Sequence, residues 1–245
     1  MFPSLKIARL FRINVFIHWS FWLLPLWVML NQHEDSILPL WMNLTLIAAL
    51  FGCIVLHEFG HALTARHFGI RTRSITLSPL GGIAQLERMS HEPKEEVWIA
   101  IAGPMVNVVI AAGLGTFLLL GIILDPKLFE TAPGTFLGML LLLNIVMVVF
   151  NMIPAFPMDG GRVLRAILAG SMGLLEGARV AVIVGTVFAV LIGVVGVFLF
   201  GNPWMVLIAA FVIWSGFQEL RALEYEEQQR REAEEELFIV VPSSR

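Results

Sequence analysis

Long apolar runs with few polar breaks set the pattern of this chain. Six of them read as crossing helices: about Ile13–Leu30, Ile37–Phe68, Val97–Leu124, Gly134–Ile153, Ala178–Phe200 and Pro203–Phe217. Some 20 apolar residues cover a bilayer core, and the second run exceeds that length. Residues 69–94 break the pattern. Ile75 and Leu77, then Ile83, Ala84 and Leu86, flank Ser78-Pro79-Leu80-Gly81-Gly82, the signature of a short hairpin with a Pro/Gly turn. The predicted fold is therefore an all-α polytopic membrane protein. It has about six transmembrane helices and a short membrane-associated β-hairpin or re-entrant loop after the second. Gly81 and Gly82 point to close backbone approach. An open strand edge cannot face lipid, so the hairpin is either a cytoplasmic connector or an edge that pairs with an unwound substrate. Residues 1–12 form a basic arm, 13–217 the spanning domain and 218–245 a charged tail. The tail holds eight Glu and three Arg between Gln218 and Glu236, and reads as a solvated helix continuing the last span.

Composition sharpens the class. The chain is 58% hydrophobic and only 14% charged, with a mean hydropathy of +0.82. Soluble domains carry about 25% charged residues, so the bilayer is the expected solvent. A net charge of −3 gives no support to a nucleic-acid partner. One cysteine, Cys53, excludes an intramolecular disulfide framework and a Cys-rich zinc site. Every Lys and Arg except Lys127 falls on alternate connecting segments and the two ends. The positive-inside rule then makes both termini cytoplasmic and turns the end of the second span toward that side.

That end carries His57-Glu58-Phe59-Gly60-His61. On a helix His57 and His61 are one turn apart on one face, placed to share a metal ion. Glu58 lies about 100° round, where it can face a metal-bound water. Ionisable groups inside an apolar span are expensive, and here three fall within five residues. A catalytic zinc takes a third protein ligand. Among Glu34, Glu87, Asp125, Asp159 and Glu176, the strongest candidate is Asp159, held in a Pro/Gly-rich turn on the same membrane face. Its other reading is an N-cap for a short helix over residues 161–172. Asn107 lies one turn after Gly103-Pro104. Asn144 and Asn151 interrupt the fourth span, where they can bind exposed substrate backbone or pack helices together.

Three stretches carry a resemblance to the site-2 protease family of intramembrane zinc metalloproteases. They are His57–His61, Ala102-Gly103-Pro104 with Asn107, and the run from Asn151 through Pro154, Pro157 and Asp159 to Gly160-Gly161-Arg162. The likeness covers about residues 10–217, and the chain resembles the compact six-span bacterial and archaeal branch with its sporulation-type enzymes. It implies one zinc held by the residues matching His57, His61 and Asp159, with the one matching Glu58 as base. Where the family commonly has Leu before that Asp, this chain has Met158. The family also implies hydrolysis of peptide bonds within or near the membrane spans of protein substrates, often regulators. The short loops leave no room for a PDZ domain, nor the tail for paired CBS domains. Control of access then falls to a membrane partner, self-association or the tail.

Two other classes compete. A transporter would place ionisable groups at membrane depth but would show internal repeats, and none is evident. An inactive scaffold that binds membrane helices would be expected to lack Glu58 or one ligand, whereas all four residues are present.

Overall fold

The computed structural model describes residues 4–33, 37–78, 81–88, 90 and 92–240. Their backbone divides into two compact units, Met1–Asn151 and Met152–Arg245.

The first unit opens on strands. β1 (Ser4–Leu10) and β2 (Ile13–His18) pair antiparallel about a turn at Phe11 and Arg12, both at positive φ. A 3-10 turn, Trp19–Trp22, follows, capped by the ring Nδ1 of His18, which accepts from the Ser20 amide at 3.3 Å. Only Leu23–Leu30 is α-helical (α1). The span expected over Ile13–Leu30 is thus a strand and a short helix. The physical reason is a period of two: β-branched Ile13, Val15 and Ile17 point inward while Asn14, Phe16 and His18 alternate with them.

α2 (Leu40–His67) leads to β3 (Thr72–Ser78) and β4 (Gly81–Leu86), which form the expected hairpin. Its predicted tip, Pro79 and Leu80, lies outside the described residues, as does the acidic candidate Glu34. The hairpin does not stand alone. β3 pairs parallel with β2 from Asn14 opposite Ser74 to Ile17 opposite Leu77, giving a four-stranded sheet in the order β1-β2-β3-β4. Ile13, Val15, Ile75 and Leu77 bury one face of it against Phe51, Phe59 and Ala62 of α2.

α3 (Pro93–Leu124) starts with Pro93 at a position that needs no amide donor, and carries Pro104 inside. α4 (Ala132–Asn151) completes the unit. Gly134 and Gly138 serve a local purpose rather than a helix–helix seam. A Cβ at Gly134 would run into the backbone of Leu128, and one at Gly138 would come 2.9 Å from the Phe129 ring.

The second unit is helical. α5 (Asp159–Met172) ends at Gly173, whose φ of 87° suits glycine. α6 (Leu174–Phe198) packs on α7 (Trp204–Val240) through small residues, with Gly193 against Ala209 and Gly196 against Met205. α7 runs unbroken into the tail, as the sequence predicts.

Among the described residues, five helices are long and apolar enough to cross a membrane: α2, α3, α4, α6 and α7 up to Ala233. Trp98, Ile123 and Phe198 are among the large apolar side chains on their exposed surface, an arrangement suited to lipid.

Candidate metal centre

α2 delivers the central pair. His57 and His61 are both buried, and their Nε2 atoms face each other at 3.1 Å. Each ring is held from behind. His57 Nδ1 lies 2.6 Å from Asn107 Oδ1, and His61 Nδ1 lies 2.7 Å from the Ile99 carbonyl. Those partners are acceptors, so each Nδ1 carries the proton and donates. Both Nε2 atoms then present lone pairs to one another. Such lone pairs repel at this distance, and a cation held by both removes the conflict. Two ligands of a tetrahedral ion at bonds of about 2.05 Å stand about 3.3 Å apart. The donor set therefore fits a small divalent metal, with Asn107 and Ile99 orienting the ligands from the shell behind.

Two glycines make room. A Cβ on Gly103 would overlap the His61 ring and come 2.8 Å from His57 Nε2, so α3 can pass over the imidazoles only with glycine there. On the other helix, a Cβ on Gly60 would meet the Ala102 carbonyl at 2.6 Å and Val106 at 2.9 Å. Close α2–α3 contact, set by this glycine pair, brings Asn107 and Ile99 within reach of the rings. Pro104 leaves the carbonyl of Ala100, next to Ile99, without its usual helix donor. It is nevertheless the Ile99 carbonyl that His61 uses.

Glu58 is half-buried on the next face of α2. β4 lies directly on it: a Cβ on Gly82 would come 2.6 Å from Glu58 Cγ and 3.0 Å from its Oε1. Gly81 beside it has a φ of 127°, which glycine alone adopts without strain. Gly82 is therefore tied to the carboxylate of the motif, whereas Gly81 answers to the backbone conformation of the strand end. The structure brings together His57, Glu58, His61, Asn107 and Gly82, all within the first unit. Asn151, read as a contact to substrate backbone or a helix-packing residue, ends α4 and donates to its own helix at the Met147 carbonyl, 3.0 Å away.

Asp159 opens α5 in the second unit. Met158 is the cap residue and no side chain caps the helix, so Asp159 occupies the first helical position rather than the cap. Arg162 stands 3.8 Å away. The turn before it is tightly folded. Met158 donates to the Ala155 carbonyl and Gly161 to that of Met158. Side chains on Gly160 or Gly161 would strike the backbone of Met152–Ile153 or Ala155–Phe156. The Phe156–Pro157 bond is cis. Behind the turn, Arg165 pairs with Glu219 of α7 and lies 5.5 Å over the Phe156 ring.

Sequence reasoning passes over Gly60, Gly103 and the Ile99 carbonyl as parts of the centre. The glycines have a signal in the motif spacing. A backbone carbonyl has none.

Apolar helices of spanning length, with a buried imidazole pair and an adjacent carboxylate on one of them, define an integral membrane protein built on an H-E-x-x-H centre. Peptidase family M50 matches residues 45–124 and 119–195, more than half of the chain. The chain belongs to this family, the site-2 proteases. A zinc metalloprotease of Methanocaldococcus jannaschii is 35% identical over 227 residues, which cover 91% of this chain and 62% of that protein. The chain thus spans less than two thirds of this relative's length. Stage IV sporulation protein FB of Bacillus subtilis is 23% identical over 217 residues, covering 87% and 68%. The solved structure of a site-2 protease from M. jannaschii superposes with a TM-score of 0.61 at 31% identity, covering 89% of this chain and 95% of that one.

Proposed function

We propose that the chain is an intramembrane zinc endopeptidase that cleaves membrane-bound protein substrates within or near their spans. The carrying observation is the facing His57 and His61 Nε2 atoms, each ring fixed by a hydrogen bond at its Nδ1. Asp159 is the proposed third ligand. Its position past the helix cap, in a turn tightened by Gly160 and Gly161, supports that role. One zinc per chain would supply a Lewis acid that polarises the scissile carbonyl and makes water more acidic. Glu58 acts as general base, its carboxylate taking a proton from the attacking water and delivering it to the leaving amide nitrogen. α3 passes over the buried imidazole pair at Gly103, while the Glu58 beside it is only half-buried. The family's relatives named as zinc metalloproteases support the reaction class.

The spanning domain is proposed to occupy residues 13–217, between the basic arm and the charged tail, with both termini and the centre toward the cytoplasm. The sheet supports this topology. Because β2 pairs with β3, the N-terminal strands share a membrane face with the segment that follows α2. The chain between His18 and Leu40 must then return across the bilayer before α2 begins. That return would be a sixth crossing, made by Trp19–Leu30 and the residues after it rather than by a full-length helix. Access would be governed by a regulatory membrane protein or by a second copy of the chain.

The test uses protein purified in detergent, reconstituted into vesicles with single-span reporter proteins. Glu58→Gln is expected to lower cleavage by roughly 10²–10⁴-fold while zinc stays at one per chain. Asp159→Ala is expected to lose most of the zinc. Cleavage that survives Glu58→Gln would remove the general-base role. Zinc held equally well by Asp159→Ala would remove that residue from the ligand set.

A further inference from the structure

Two asparagines lie at membrane depth in the first unit with no exposure at all, Asn107 on α3 and Asn144 on α4. Buried amides in spanning helices are costly unless every polar atom is used, and these two form a directed chain. Asn144 Nδ2 is 2.9 Å from the Leu140 carbonyl of its own helix and 3.5 Å from Cys53 Sγ. A backbone carbonyl can only accept, so the Asn144 amide must turn its nitrogen to Leu140 and its oxygen the other way. That oxygen accepts from Asn107 Nδ2 at 2.9 Å. The same nitrogen also approaches Met147 Sδ at 3.8 Å, another acceptor. With its nitrogen so engaged, Asn107 can offer His57 only its oxygen, and His57 Nδ1 lies 2.6 Å from it.

We infer that Asn144 is a positioning residue for the metal centre. Acting through Asn107, it fixes His57 as the tautomer protonated at Nδ1, with a lone pair at Nε2. The inference rests on reading His57 as a metal ligand, but not on proteolysis. Without Asn144, the Asn107 amide loses its principal acceptor and can rotate by 180°. Its NH₂ would then face His57 Nδ1, which must become an acceptor, and the ring proton moves to Nε2. That proton occupies the coordinate of the metal bond. Removal of partners behind a ligand typically lowers metal affinity 10–100-fold.

The experiment measures zinc affinity by chelator competition in detergent-purified protein, for the wild type, Asn144→Leu, and the pair Asn144→Leu with Asn107→Asp. A carboxylate has no N–H to turn toward His57, so its orientation needs no control from α4. The expected result is a 10–100-fold loss in Asn144→Leu and recovery to within about fivefold in the double variant. A purely structural role for Asn144 would not be rescued by adding a buried charge. Unchanged affinity in Asn144→Leu, or a loss that Asn107→Asp fails to recover, overturns the inference. A wild type that takes up no zinc overturns the metal reading with it, and so separates the two failures. Should Asn144→Leu not fold, ¹⁵N-histidine NMR of the zinc-free wild type decides, with His57→Gln to assign the signal. His57 protonated at Nδ1 is expected, and protonation at Nε2 overturns the inference.

Discussion

Gly82 and Glu58 illustrate how little freedom the residues of this centre have. The carboxylate of Glu58 fills the space that any side chain at position 82 would need, with 2.6 Å between its Cγ and an added Cβ. Gly82→Ala therefore has to move the proposed base, the strand or both. The histidines are held by α3 and not by β4, so they stay. The expected outcome is a loss of cleavage of about 10–100-fold, the scale of a displaced catalytic group, at unchanged zinc stoichiometry. Cleavage assays and metal analysis on one preparation check it, and parallel loss of zinc would contradict the division of labour. At this scale the sequence is readable where chemistry is written in side chains. His57, Glu58 and His61 stand out because three ionisable residues in an apolar run are too costly to keep without a chemical use. Asn107 reads in the sequence as a polar group near a proline and part of the family-like stretch, without a partner assigned to it, and Asn144 as either a substrate contact or a packing residue. Their use depends on which helix faces which, and one helix's sequence does not contain that.

Elements follow their periodicity, and the departure over Ile13–Leu30 has the same cause. Ile13 to Leu30 is largely apolar, and length alone suggests a span. The alternation of Ile13, Val15 and Ile17 is the contrary signal, and a partner strand decides it. β3, some 60 residues further on, pairs in register with β2. Such a contact is invisible locally, whereas α2, α3 and α4 start and stop near their predicted ends because each satisfies its own backbone. The second unit supplies another test at this scale. Arg165 of α5 is almost fully buried, pairs with Glu219 of α7 and stacks on Phe156 in the turn before Asp159. Glu219→Ala would leave a buried guanidinium without this carboxylate, a change that costs about 3–5 kcal/mol for enclosed pairs and less here because Glu219 is 26% exposed. Thermal unfolding in detergent should show a clear fall in midpoint. An unchanged midpoint would mean that the Arg165 charge is adequately supported without α7.

The whole molecule is where the sequence predicts orientation and leaves assembly open. Charge counting puts both ends on one side of the membrane, which requires an even number of crossings, while five described helices are of spanning length. Trp19–Leu30 and its extension supply the difference in the proposed topology. Single cysteines at Lys6 and at His33, on either side of Trp19–Leu30 and in a chain with Cys53 replaced by alanine, are expected to react with an impermeant maleimide from opposite sides of sealed vesicles. Labelling of both from the same side would remove the sixth crossing.

α7 has a further consequence for how the protein meets the aqueous phase. Its 37 residues make a rod about 55 Å long, and a bilayer core takes up about 30 Å of it. Up to about 25 Å is left standing above the membrane, in a stretch rich in Glu that an anionic headgroup layer repels. The far end of the helix, at Val240, rides on a mast, held up to about three Debye lengths beyond the hydrocarbon core at physiological salt.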